Sequence, residues 1–217
     1  MPTIEVAADY THLVFGESET YATARGTATD QFEELGEVAT SNDNNGEGLF
    51  GVLRSLFRFD TDGVVPDGNT VTGIVMRLTA TEVAADDGAF DLEIVEVDWS
   101  AQDPVDAGNM DAVFDAVLAA DTAAVWQNTA NVTPETPQES GALNVDWLVL
   151  DGKTYYAMRT SMDKVGTEPT GFNIVGVGAY QNPTAAWRPT LVIEYAEAAS
   201  GGALGGLSGL SGLSGIV

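Results

Sequence analysis

The chain has 217 residues, with 33 acidic against 8 basic side chains, a formal net charge of -25 and no cysteine. A surface of that charge repels phosphate backbones and anionic lipid, so we expect neither a nucleic-acid nor a membrane partner. Without cysteine the chain can form neither a disulfide framework nor a thiolate metal site.

The basic residues are mostly arginine. Only Lys153 and Lys164 are lysines. Acid-rich, lysine-poor surfaces are typical of halophilic proteins, because a Debye length of roughly 3 Å at 1 M salt screens their self-repulsion. An ordinary acidic extracellular protein would have the same composition. The charge therefore leaves a salt-adapted and an ordinary acidic protein as two open interpretations.

The N-terminal stretch MPTIEVAADYTHLVF offers no targeting or catalytic signal. It has neither the basic segment nor the apolar core of a secretory signal peptide. His12 is the only histidine, and we expect it on an early strand with its ring at the surface. A Ser-His-Asp triad would have to use His12, and Cys-His chemistry is impossible. No spacing singles out a carboxylate pair for glycoside hydrolysis. We therefore predict no catalytic residues and no enzymatic activity.

Short alternating strands make up the body of the chain. In LRSLFRFD, TGIVMRLTA, AFDLEIVEV and TLVIEY, the expected inward positions include Phe57, Phe59, Ile74, Met76, Leu78, Phe90, Leu92, Ile94, Leu191, Ile193 and Tyr195. We expect the strands at 54–60 and 74–78 to be neighbours in one antiparallel sheet. Asp151-Gly152, between WLVL and KTYYAM, predicts a hairpin.

One segment has helical rather than strand periodicity. In NMDAVFDAVLAAD, apolar residues recur three and four positions apart, with Asn109 placed as the N-cap. We predict one short helix at about 110–120 that seals one end of a sandwich. Many strands, one helix and no βαβ alternation predict an all-β fold, an antiparallel jelly-roll β-sandwich. We assign residues 1–198 to this sandwich and residues 199–217 to an extended C-terminal arm.

The stretch RSLFRFDTDGVVPDGNTVTGIVMRL is similar to the DNRLRE-type, carbohydrate-binding-module-like jelly-roll family. The matching residues are Arg54, Leu56, Arg58, Phe59, Asp60, Pro66, Gly68 and Leu78, with Gly73 compatible. Two later runs also fit the family: EVDWSAQDP with Trp99 and Pro104, and WRPTLVIEY with Arg188, Pro189 and Tyr195. The large helix region and the C-terminal repeat depart from it. The resemblance implies a jelly roll used for sugar binding, adhesin stalks or viral decoration, without choosing among these uses.

Residue chemistry suggests two kinds of binding site, one for a cation and one for a sugar. The loops SNDNNGEG (41–48) and DTDG (60–63) are rich in oxygen ligands, but neither has EF-hand spacing, and tight turns use the same residues. We predict no metal site and no cofactor, with a loop-bound calcium as the alternative. Of the four tryptophans, we expect Trp147 in the core, Trp99 and Trp187 at structural positions, and Trp126 exposed for stacking on a sugar.

The C-terminal stretch GGLSGLSGLSGIV repeats every third residue. That period matches the three-residue turn of a polyproline-II-like chain, which aligns the apolar side chains along one edge. Such a strip needs a partner, because glycine loses much entropy on ordering. We predict that the arm binds another subunit, either a copy of this chain about a threefold axis or a shell protein beneath. The partner-binding residues are Leu204, Leu207, Leu210, Leu213 and Ile216.

These features together indicate a virion structural protein of a tailed virus. The charge suits an outer shell surface, and the arm suits docking on neighbouring subunits. We predict a capsid decoration (cement) or head-fibre protein on the virion outer surface. Its expected partners are copies of itself, with a trimer as one arrangement, and the major capsid protein or another virion protein. The alternative is a carbohydrate-binding or adhesin module of a larger extracellular or cell-surface protein.

Overall fold

The computed structural model describes residues 1–33, 37–44 and 48–198. The predicted arm and its five partner-binding residues lie outside this part. The described strands are β1 (Thr3–Ala7), β2 (Tyr10–Ser18), β3 (Asp30–Glu33), β4 (Glu37–Asn44), β5 (Phe50–Asp60), β6 (Thr70–Ala85), β7 (Asp91–Glu96), β8 (Thr122–Asn128), β9 (Pro137–Glu139), β10 (Lys153–Thr160), β11 (Asn173–Gly178) and β12 (Thr190–Ala196). The helices are α1 (Tyr21–Gly26), α2 (Met110–Ala119) and α3 (Ser161–Val165).

The strands form one antiparallel network. Its order is β1-β12-β6-β11-β4-β5-β10-β7-β8, with β9 on β6, β2 on β5 and β3 on β2. The long strand β6 connects the two halves of the network, because its residues 70–77 pair with β12 and its residues 80–85 pair with β11. The predicted all-β, antiparallel fold is confirmed.

The main core lies between the two halves of this network. Side chains of β1, β6, β11 and β12 pack there against side chains of β5, β7 and β10. Its members include Phe57, Phe59, Ile74, Met76, Leu78, Phe90, Leu92, Ile94, Leu191 and Ile193. The inward positions predicted from the alternation of these runs are therefore buried, except that Tyr195 is only partly so.

The predicted pairing of β5 with β6 is wrong. Strand β5 pairs with β2, β4 and β10, whereas β6 pairs with β9, β11 and β12. The connection between β5 and β6 covers residues 61–69. A loop of that length can cross between sheets, while a two-residue turn would hold the strands side by side. The two strands instead contribute side chains to the core from opposite sides.

The predicted hairpin at Asp151-Gly152 is also wrong. The preceding run, WLVL, forms no strand, and β10 pairs with β5 and β7. The turn packs on the end of β5 instead, where the Thr61 N–H donates to the Gly152 carbonyl (3.0 Å) and the Gly63 N–H to the Leu150 carbonyl (3.0 Å).

A second core covers the outer face of the sheet that contains β5. Residues of α1 and α2 pack there against β2, β5 and β10, with Val52 and Leu56 of β5 among the buried side chains. The helix at 110–120 was predicted correctly, but it lies on a sheet face and does not seal one end of the sandwich. The single-helix prediction also missed α1 and α3, which have 6 and 5 residues, too few for a clear helical periodicity. Within the described ranges, no helix is long and apolar enough to cross a membrane.

Three basic side chains join α2 to strands β5 and β10 and to helix α3. Arg54 of β5 donates to the Phe114 carbonyl (2.6 Å), and Arg159 of β10 donates to the carbonyls of Val117 and Leu118. Lys164 of α3 donates to the Ala120 carbonyl (2.7 Å). The last carbonyls of a helix lack intrahelical partners and carry partial negative charge. Arg159 and Lys164 therefore stabilise the C-terminal end of α2, whereas Arg54 binds a carbonyl in the middle of the helix. Together the three contacts fix the position of α2.

Replacement of Phe59 with alanine tests the main core. Phe59 is fully buried and packs edge-on against Tyr156. We expect Phe59→Ala to lower the free energy of unfolding by about 3–5 kcal/mol, because it empties a buried aromatic site. Val165→Ala is the control, since Val165 is 75% exposed, and it should change stability by no more than about 0.5 kcal/mol. Chemical denaturation measures both; equal effects would contradict the assignment of Phe59 to the core.

Candidate functional site

The structure corrects the predicted exposure of two tryptophans. Trp126, expected at the surface for sugar stacking, is only 2% exposed, and its Nε1 donates to the Gln138 carbonyl (2.8 Å). It lies on β8 and points into the main core. Trp147, expected in the core, packs against the main core but is only half-buried and borders an open groove. The prediction failed because Trp126 follows strand alternation, whereas the apolar run around Trp147 lies on a short 3-10 turn.

The groove beside Trp147 is the candidate site. Its volume is about 390 Å³. Its lining comes from three separate parts of the chain: Asp98 and Ser100; Asp146, Trp147 and Val149; and Lys153 and Tyr155. An aromatic surface bordered by a few polar groups is typical of a small-ligand site, and the volume falls in the usual range for one.

The aromatic wall of the groove is held by hydrogen bonds. Trp147 Nε1 donates to the Tyr155 carbonyl (2.9 Å), which ties the tryptophan to strand β10. The Val149 N–H donates to Thr154 Oγ1 (3.0 Å), and Thr61 Oγ1 donates to the Val149 carbonyl (2.5 Å). The groove is therefore built on a fixed turn, so a ligand would not have to order it on binding.

An ion-pair network supports Tyr155 from behind. Its hydroxyl donates to Asp103 Oδ2 (3.1 Å), and its ring packs edge-on against Trp99, with centroids 4.7 Å apart. Arg58 bridges Asp103 (2.8 Å) and Asp9 (2.9 Å). Burial and the nearby Asp103 carboxylate raise the pKa of Tyr155 to about 12. The phenol is therefore neutral at physiological pH and keeps its proton for the bond to Asp103.

The polar rim of the groove is mainly acidic. The side chains of Asp98 and Asp146 are exposed, and the Ser100 N–H donates to Asp98 Oδ1 (2.9 Å). Lys153 is the basic member of the rim, and its Nζ lies 3.9 Å from Asp103 Oδ2. Carboxylates are strong acceptors for hydroxyl and ammonium donors. The rim therefore suits a neutral or cationic ligand better than an anionic one.

A repeated tripeptide could have indicated this groove. Val97-Asp98-Trp99 and Val145-Asp146-Trp147 are identical, and each places its aspartate on the groove rim. The two tryptophans differ, since Trp99 is fully buried behind Tyr155 while Trp147 lines the opening. The sequence contains the repeat, but it does not show that the two copies lie together.

All eight basic side chains are engaged inside the described structure. Six of them form ion pairs: Arg25 and Arg54 with Asp163, Arg58 with Asp9 and Asp103, Arg77 with Glu5 and Glu139, Lys153 with Asp103, and Arg159 with Glu93. The other two bind backbone carbonyls, Lys164 that of Ala120 and Arg188 that of Asn182. These pairs use only a few of the 33 acidic residues. Among the described residues six acidic side chains form these ion pairs, so most of the negative charge is not neutralised by a neighbouring basic group.

The two loops considered for calcium are described only in part. Residues 41–44 belong to strand β4, and residues 45–47 lie outside the described part. Asp60 ends β5, and residues 61–63 form the turn that follows it. Within the described ranges, no three histidine, aspartate or glutamate side chains are grouped so that they could hold a metal ion.

Comparison of the chain with protein-family models and with curated proteins gives no match. The resemblance to the DNRLRE-type family therefore stays a prediction.

The predicted exposure of His12 is wrong. The ring is 2% exposed on β2, where Nδ1 lies 2.8 Å from the Tyr10 hydroxyl and the two rings stack. Because the charged form loses its hydration on burial, the pKa of His12 is lowered from 6.5, against the opposing effects of Gln31 and Glu33. The ring also lies outside the groove lining, so it cannot serve as the base of a site there.

The buried histidine should make stability depend on pH. Below pH 6.5 the unfolded chain binds a proton at His12 that the folded protein does not bind, so stability falls as the pH decreases. The slope from one such group is at most about 1.4 kcal/mol per pH unit. We expect the free energy of unfolding of the wild type to decrease between pH 7.5 and 5.5, and the decrease to be smaller in His12→Gln. Urea denaturation at several pH values measures this; equal slopes would contradict a neutral, buried His12.

Proposed function

We propose that the protein is a non-enzymatic carbohydrate-binding β-sandwich and that a neutral sugar binds in the groove beside Trp147. The observation that carries this proposal is the combination of a half-buried indole, a fixed tyrosine wall and exposed carboxylates in one groove. A sugar ring has one apolar face and a circle of hydroxyl groups. It can pack its face against an aromatic side chain while its hydroxyls donate to carboxylates.

The rim chemistry supports a neutral rather than an acidic sugar. Asp98 and Asp146 would repel a uronate or a sulfated sugar, and the net charge of -25 adds to this repulsion over a longer range. Lys153 does not reverse the sign, because its ammonium group is already close to Asp103. The expected ligand is a neutral oligosaccharide, held with the modest affinity of a shallow, open groove.

Trp147→Ala tests this function directly. On an array of neutral and acidic glycans, we expect the wild type to bind neutral glycans and Trp147→Ala to lose at least about tenfold in affinity, since one good aromatic contact is worth about 1.4 kcal/mol. Trp187→Ala is the matched control, because Trp187 is also half-buried but lies outside the groove. Wild-type protein that binds no neutral glycan would refute the sugar site, and release of cleaved sugar would refute the non-enzymatic role.

A second candidate function is structural. It is the role of a capsid decoration (cement) or head-fibre protein on the outer surface of a tailed virus. Two features favour it: the basic groups are used internally, so the surface is acidic, and residues 199–217 form a stretch with no charged residue. An acidic outer surface would avoid contact with packaged genome, and an uncharged arm could attach to a shell or to a neighbouring copy.

Deletion of residues 203–217 tests the structural candidate. The described members of both core clusters lie between Ile4 and Tyr195, so we expect thermal unfolding of the sandwich to be unchanged. Assembly with neighbouring copies or with a shell protein should be lost, as measured by co-sedimentation. Assembly that survives the deletion would contradict this function and would leave the sugar-binding proposal untouched.

A further inference from the structure

A second groove, distinct from the one beside Trp147, opens on the inner face of the sheet where β5 begins. Its volume is about 310 Å³. Leu13 of its floor belongs to the main core, and Phe15 and Leu53 pack against that core. At its edge, Phe32 is 46% and Phe172 is 41% exposed. The groove is therefore a part of the sandwich interior that is left open to solvent.

Exposed aromatic surface next to a core is typical of a site that another chain covers. The groove is small, so it can take a narrow segment but not a second globular surface. Glu17 and Asp43 add two carboxylates to the lining. These carboxylates could accept hydrogen bonds from the backbone N–H groups of an extended segment. They would repel a segment that carries acidic side chains.

The C-terminal arm has the chemistry that this groove requires. Residues 199–217 contain no charged side chain and place a leucine or isoleucine at every third position from 207 to 216. Most of the surface of a second copy would bring further carboxylates to the groove. The arm brings apolar side chains to the aromatic walls, and its many glycines allow its backbone N–H groups to approach closely.

The path of the chain favours an arm from a second copy over the arm of the same chain. The described chain leaves the sandwich at Ala198, whose N–H donates to Asn69 Oδ1 (2.9 Å), just before β6 begins. Phe172 lies beside the other end of β6, because Asn173 pairs with Ala85. Strand β6 has 16 residues, which span up to about 50 Å at about 3.3 Å per residue. An arm folding back on its own molecule would use most of its length to reach the groove.

We propose that the groove formed by Phe15, Phe32, Leu53 and Phe172 binds the C-terminal arm of a second copy of this chain. This inference rests on the structural candidate function and is independent of the sugar site. The contact joins two different surfaces, the arm of one copy and the groove of the next. Contacts of that kind close into rings when the rotation between copies allows it, as a threefold assembly would require.

The test compares three full-length variants with the wild type by sedimentation velocity over a range of concentrations in molar salt. Phe172→Glu places a charge in the groove, and Leu210→Ser with Leu213→Ser removes apolar groups from the arm. Val125→Glu is the control, because Val125 is 41% exposed, lies outside the groove and gives the same change in charge. We expect the wild type and Val125→Glu to associate alike and the other two variants to need at least tenfold more protein to associate.

Combining the groove and arm substitutions should weaken association no further than either change alone, because both remove the same contact. Thermal melting followed by circular dichroism checks that every variant is folded. A wild type that stays monomeric at all concentrations would overturn the proposal, as would equal behaviour of Phe172→Glu and Val125→Glu. If only the arm variant loses association, the arm does not bind in this groove, although the assembly role is supported. Glycan binding by Phe172→Glu should equal that of the wild type, because the sugar site is separate.

Discussion

Helix α2, which covers the outer face of the sheet that contains β5, is attached through arginine side chains that have no access to solvent. Arg54 is fully buried and donates two hydrogen bonds to Asp163 (2.7 and 2.9 Å), while a third reaches the Phe114 carbonyl of α2. Loss of one partner of a buried pair typically costs about 3–5 kcal/mol, because the other charge is left unpaired. Since Phe114 packs in the second core with Trp99 and Tyr155, the same attachment also supports the wall of the groove beside Trp147.

The distribution of charge follows from this internal use of arginine. A guanidinium group offers several donors in a fixed plane, so one side chain can bind a carboxylate and backbone carbonyls together. Arg159 does this between Glu93 and the end of α2. With the few basic groups engaged in this way, the carboxylates set the surface potential almost alone. High salt would weaken repulsion between surface carboxylates much more than it would weaken the buried pairs.

Local patterns in the sequence predicted the strands better than their arrangement. The alternation in TGIVMRLTA identified Ile74, Met76 and Leu78 as core residues, because one face of a strand is set by its own residues. The partner of that strand was predicted wrongly, because pairing depends on how a loop directs the chain. Burial along strand β5 does not alternate, because the neighbours Leu56 and Phe57 are both fully buried. Helices cover the face of β5 that an ordinary sandwich exposes to water, so strand alternation alone could not predict the burial of Leu56.

The groove beside Trp147 could not be predicted from local sequence patterns either. Its lining unites three segments, around residues 98, 147 and 154, and only the tertiary fold brings them together. The burial of individual aromatic side chains could not be predicted from the sequence either. Trp126 lies on strand β8 and faces the core, whereas Trp147 lies on a short turn and is half-buried.

The pairing of β1 with β12 has a consequence for folding during synthesis. Strand β12 lies between β1 and β6, with Ile193 opposite both Ile4 and Ile74. Until residues 190–196 have been made, β1 has no sheet to join and the 70–77 segment of β6 has an open edge. Contacts between such distant parts of a chain slow folding, and an open edge can pair with other chains. Completion of the sandwich must therefore wait until residues 190–196 have been translated, and the mutual repulsion of nascent acidic chains would protect them during that delay.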